Sequence, residues 1–78
     1  MVKELLEYMV KELVDSPDEV KITEEEEGDK TVIFKLQVAE SDLGKVIGKK
    51  GRTANALRVI MRAASAKRGK SSIVKIVD

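Results

Sequence analysis

From Thr31 to Val38 the side chains alternate, with Val32, Phe34, Leu36 and Val38 on one side of an extended chain and Thr31, Ile33, Lys35 and Gln37 on the other. A period of two predicts a strand with one face in a core, and such a strand needs partners to pair with and a layer to cover its apolar side. The chain has 78 residues to provide them. That suffices for one core, so residues 1–78 read as a single domain.

Val20 to Glu24 alternates Val20 and Ile22 against Lys21 and Thr23, which predicts a second strand. Between the two, residues 25–30 include Gly28 and Asp29, which tolerate turn geometry, so the strands form an antiparallel hairpin. Ahead of it, Val2, Leu5, Leu6, Met9 and Leu13 recur at three- and four-residue steps, predicting one face of a helix that runs to about Asp15 and is ended by Pro17. After it, Ser41 is the expected N-cap of a short helix with Asp42 in its first turn; the helix reaches about Ile47 and Gly48 stops it. A longer helix is expected from Arg52 to about Lys67, with Leu57, Ile60, Met61 and Ala64 inward and Asn55, Arg58 and Arg62 outward. Gly69 caps it, and Ser72 to Val77, rich in Ile and Val, has the branching of a strand.

The order is helix, strand, strand, helix, helix, strand. Two helices separate the last strand from the hairpin, so it returns parallel to the second strand through a right-handed crossover. The expected architecture is α+β, a three-stranded mixed sheet with helices on one face.

Charge is sorted along the chain. Residues 1–42 hold 13 acids against 5 lysines, whereas residues 43–77 hold 10 Lys or Arg and no acid, although the net charge is only +1. A basic face held apart from an acidic one suits a polyanionic partner. Cys and His are both absent, which removes disulfides, thiolate or imidazole metal sites, and the side chains that most often do acid-base chemistry near neutral pH. No catalytic residue, metal or cofactor is expected. Charged residues interrupt every apolar stretch, so no membrane span is predicted and a cytoplasmic protein follows. The Glu24 to Glu27 run lacks the loop spacing of a calcium site and reads as a solvated hairpin tip.

Between the two later helices stands Val46-Ile47-Gly48-Lys49-Lys50-Gly51-Arg52-Thr53. Two glycines three apart permit a tight turn and leave no Cβ at either corner, so another backbone can approach. The turn feeds the amino end of the helix that begins near Arg52, where free amides and the helix dipole favour an anion, and Lys49 and Lys50 add two positive charges.

Leu43-Gly44-Lys45-Val46-Ile47-Gly48-Lys49-Lys50-Gly51, followed by Arg52-Thr53-Ala54-Asn55-Ala56-Leu57-Arg58, resembles the central helix-loop-helix of a KH domain. The element order is that of the prokaryotic, or type II, KH fold, and the length is similar to that of the small single-KH bacterial RNA-binding proteins of the KhpA (YlqC) group. The resemblance implies that about four nucleotides of single-stranded RNA lie in a narrow groove with their bases on an apolar floor. Carried over by position, Gly48, Lys49, Lys50 and Gly51 hold the phosphates, Gly44, Lys45, Ile47 and Ala54 line the helical wall, and Arg52 and Arg58 add electrostatic grip. The opposite wall is the last strand around Ile73 to Ile76, with Lys67, Arg68 and Lys70 in the adjoining loop. Ala54 stands where the wider KH pattern carries a bulky aliphatic, which implies a shallower floor. With Tyr8 and Phe34 the two aromatic residues, stacking is not the main source of base affinity. The group also implies an RNA chaperone or post-transcriptional regulator, and a homodimer or a heterodimer with a larger Jag-type (KhpB) KH protein that regulates envelope growth, cell shape or division. The face bearing Asn55, Val59, Arg62 and Ala66 is where a second helix would dock.

Other readings of the same residues stand beside these. A helix-turn-helix reader would present base-contacting polar groups where Ala54 and Ala56 stand, and a Walker loop needs a longer glycine spacing followed by Lys and Ser or Thr. Gly44 inside a helix costs roughly 1 kcal/mol relative to Ala, explained equally by close packing or by room for a nucleotide. Lys67 and Arg68 serve a helix C-terminus as readily as a ligand.

Overall fold

The computed structural model describes residues 2–77. Met1 and Asp78, the ends of the expected domain, lie outside the described residues. Helix α1 (Val2–Leu13) leads to strands β1 (Lys21–Glu27) and β2 (Thr31–Gln37), the short helix α2 (Leu43–Ile47), helix α3 (Arg52–Ala66) and strand β3 (Ser71–Val77), with 3-10 turns at Pro17–Glu19, Glu40–Asp42 and Lys49–Gly51. The sheet order is β1-β2-β3. β1 runs antiparallel to β2, and β2 runs parallel to β3 with Ile33 beside Ile73 and Phe34 beside Val74. The α+β architecture, a three-stranded mixed sheet, is the one expected from the sequence.

The alternation in β2 organises the core. Phe34 and Leu36 are fully buried and pack with Leu6 and Val10 of α1, Val46 of α2, and Leu57 and Met61 of α3, so the helices cover one face of the sheet. On the other face Ile33 is still 7% exposed although no helix covers it. Its flanking neighbours Glu25 and Ile73 stand on either side, and the Lys35 ammonium reaches Glu25 Oε1 at 3.2 Å, laying an aliphatic stem across this face.

Several elements depart from the sequence reading. β1 continues through Glu24–Glu27 where a hairpin tip was expected, because the register pairs each glutamate with a β2 residue and two of them meet cations: Glu25 meets Lys35, and Glu26 meets Lys70 at 3.8 Å. α1 stops at Leu13, short of Pro17, because the amides of Asp15 and Ser16 bond to the Asp42 carboxylate at 3.1 and 3.0 Å and not to carbonyls one turn back. Asp42, not Ser41, precedes α2, and its side chain, 1% exposed, makes no capping bond to its own helix. The inward stripe of α3 is Ala54, Leu57, Met61 and Ser65; Ile60 is 43% exposed, because the stripe is centred one flank over from the expected one. In α1 the centre of the buried face is Leu6 and Val10, with Leu5 and Leu13 near its exposed margins.

Candidate nucleic-acid interface

The site is built around the junction of α2 and α3. The Gly48 amide bonds to the Gly44 carbonyl at 2.9 Å, closing α2, and the Gly51 amide returns to the Gly48 carbonyl at 3.2 Å, closing the turn. Gly48 has φ 75 and ψ 175, a conformation available essentially to glycine alone. A Cβ there would also stand 2.9 Å from the Thr53 amide nitrogen, so Gly48 is required twice over. Gly51, at φ 75 and ψ 13, is left-handed, but a Cβ on it would meet nothing within 4 Å. Between them Lys50 is itself left-handed, with φ 55, a conformation that costs a lysine about 1 to 2 kcal/mol. The turn therefore projects two exposed lysines from a backbone held in an uncommon shape.

The 15-residue α3 starts at this turn with no side chain capping it. Its first amides and the positive end of its dipole face the same corner as Lys49 and Lys50, a combination that favours an anion.

Beside the corner lies a cleft of about 280 Å³ lined by Leu43, Ile47, Gly51, Ala54, Arg58 and Ile76. Ile47, Gly51, Ala54 and Arg58 were expected from the sequence; Leu43 was missed, and its position one residue before Gly44 on a short amphipathic helix was the available signal. Arg58 is anchored, its Nε donating to the Val74 carbonyl and one Nη to Asn55 Oδ1, both at 3.3 Å. Ile76 supplies the opposite wall. Ile73, named with it in the sequence reading, faces the open side of the sheet, because three residues along a strand reverse the side-chain direction.

Other expected residues are placed differently. Gly44 is exposed with open space where its Cβ would be, so close helix packing does not explain it. Arg52 is exposed at the first position of α3. Lys45 donates to the Asp15 carboxylate and lies 4.0 Å from Asp42 Oδ1; the hydrogen bond to Asp15, with the charges of both carboxylates, holds its ammonium above the usual lysine range despite some desolvation. Lys67, Arg68 and Lys70 follow the far end of the 15-residue α3, roughly 22 Å from the turn at 1.5 Å per residue. There Arg68 and Lys70 border a separate cavity that also includes Glu24, and Lys70 pairs with Glu26.

A family model described as KhpA/KhpB, KH domain, matches residues 3–76. The chain belongs to the KhpA/KhpB KH-domain family. It is similar to the RNA-binding protein KhpA of Clostridium acetobutylicum, with 48% identity over 75 residues that cover 96% of this chain and 99% of the relative. The RNA-binding protein KhpA of Aquifex aeolicus is 49% identical over 76 residues, covering 97% and 95%. That of Borreliella burgdorferi is 45% identical over 75 residues, covering 96% and 90%. No solved structure matches the chain. The KhpA/KhpB match runs from α1 through β3, so it takes in the whole sheet as well as the junction of α2 and α3. Among the described residues no helix is long and apolar enough to cross a membrane.

Proposed function

We propose that this chain binds single-stranded RNA, seating the sugar-phosphate backbone on Gly48–Gly51 and the start of α3 and turning bases into the adjoining cleft. The observation that carries this reading is the coincidence of three features at one corner: a turn free of side chains at Gly48 and Gly51, two exposed lysines between them, and an uncapped helix start beside an apolar cleft. Each serves one part of an unpaired nucleotide, the first its backbone, the second its charge and the third its base. Relatives named RNA-binding proteins support it. A hold on few nucleotides, dominated by charge, suits an RNA chaperone or post-transcriptional regulator in the cytoplasm. Replacing both Lys49 and Lys50 with Asp is the test. Oligoribonucleotide affinity is expected to fall at least tenfold with the circular dichroism spectrum unchanged, and unaltered affinity would reject the corner as the contact.

A second reading, pairing with another KH chain, has its own observation. Asn55, Val59, Arg62 and Ala66 form an exposed face of α3 on which Val59 is 59% accessible. We assign to this face either a homodimer or a heterodimer with a Jag-type (KhpB) protein acting in envelope growth or division. Analytical ultracentrifugation of Val59→Asp against the unmodified chain, with nuclease present, checks it; an unchanged sedimentation profile in both mixtures counts against it.

A further inference from the structure

Of the six residues lining the cleft, Arg58 alone carries hydrogen-bonding side-chain atoms; the others offer aliphatic surface or bare backbone. A guanidinium has five coplanar N–H donors. Two are spent on the Val74 carbonyl and Asn55 Oδ1, and three remain. The two bonds tie the guanidinium plane to β3 on one side and to α3 on the other, which makes it a fixed reading group and not a charge swinging on a flexible stem. Ala54 at the floor leaves little shape to sort one base from another, so discrimination falls to hydrogen bonding.

We propose that Arg58 selects the base in the cleft, favouring one that presents two adjacent acceptors. Cytosine does so with O2 and N3, and guanine with O6 and N7, the pair that arginine reads most often in duplexes. Uracil places N3–H between its two carbonyls, and adenine places its amino group beside N1 and N7. Either would set a donor against the donor fork and leave a buried N–H unpaired. The inference rests on the single-stranded RNA reading above and deepens it: Arg58 becomes a specificity residue, where charge alone would make it a phosphate clamp indifferent to sequence.

The test uses labelled hexauridylate and three versions carrying one cytidine, one guanosine or one adenosine, titrated by fluorescence anisotropy at low salt. The cytidine or guanosine hexamer is expected to bind roughly tenfold tighter than the all-uridine and adenosine hexamers. Tightening by cytidine alone identifies a Watson–Crick edge in the cleft, and by guanosine alone a Hoogsteen edge; both support the proposal. Arg58→Lys keeps the charge and loses the fork, so the ratio of affinities between the cytidine or guanosine hexamer and hexauridylate should fall to about one, whatever happens to overall affinity. Asn55→Ala leaves the guanidinium and removes one tether, so the preference should shrink; this arm stands if Arg58→Lys does not fold. Equal affinity of the unmodified chain for all four hexamers, or a preference that survives in Arg58→Lys, overturns the role of Arg58. Binding to none of the four would instead overturn the RNA reading on which it rests.

Discussion

The Asp42 carboxylate accepts the backbone amide of Ser16 at 3.0 Å across 26 residues of sequence. The same carboxylate takes the amide of Asp15 at 3.1 Å, so one buried side chain terminates α1 and fixes where α2 begins. Asp42→Ala leaves both amides without their partner and is expected to lower stability by about 2 to 4 kcal/mol. Asp42→Asn keeps one acceptor oxygen and should cost about half as much. Urea unfolding followed by circular dichroism measures both.

The two glycines of the turn should respond differently to a methyl group. Gly48→Ala combines a backbone region closed to alanine with a collision against Thr53, and is expected to cost about 3 kcal/mol or more. Gly51→Ala meets open space and a left-handed backbone only, at about 1 to 2 kcal/mol. Thermal melts of the two variants should therefore separate clearly, and equal melting temperatures would contradict the geometry of the turn.

If RNA seats on the corner as proposed, salt dependence counts the phosphates neutralised there. With roughly 3 contacts, log K for a single strand should fall with log salt at a slope of about −2. Replacing Lys49 and Lys50 with Ala removes two of these contacts and should flatten that slope by about 1.4. Isothermal titration of the unmodified chain and the double variant between 50 and 300 mM salt, each about a doubling or so of ionic strength from the next point, gives the two slopes directly.

Lys45 carries a pH signature. Its folded-state pKa is raised by the hydrogen bond to Asp15, so its stabilising pair is intact below the ordinary lysine pKa and is lost as pH rises through the raised value. The urea midpoints of the unmodified chain and Lys45→Met should differ by a constant amount through neutral pH and converge in strong alkali. Because the Asp15 side chain is 79% exposed, added salt should narrow the gap at every pH.

What the sequence disclosed, and what it did not, divides by range. β2 was legible because Val32, Phe34, Leu36 and Val38 repeat at the strand period, and the turn was legible because Gly48 and Gly51 punctuate two helical stretches. The end of α1 was not, since it is set by Asp42 from the far side of the hairpin and nothing near Leu13 announces it. The extension of β1 depended on Lys35 and Lys70 reaching Glu25 and Glu26, contacts between separate elements. In α3, Ile60 was expected inward and is exposed, while Ser65, which the sequence did not single out, is buried, because steps of three and four describe two neighbouring stripes equally well and the packing of α1 and the sheet chooses between them. At the site, Ala54 and Arg58 were placed by the KH resemblance and not by helical periodicity, whereas the distance of Lys67, Arg68 and Lys70 from the turn follows from the length of an intact α3.

The shape of the corner is set before any ligand arrives, by Gly48 wedged against Thr53 and by hydrogen bonds that close the turn on both sides. On the proposed RNA reading, a corner already in its working form asks for little ordering at the moment of capture. Encounters should therefore be fast, with differences between transcripts expressed in how long each one stays. A protein built this way can survey many strands in quick succession and linger on few.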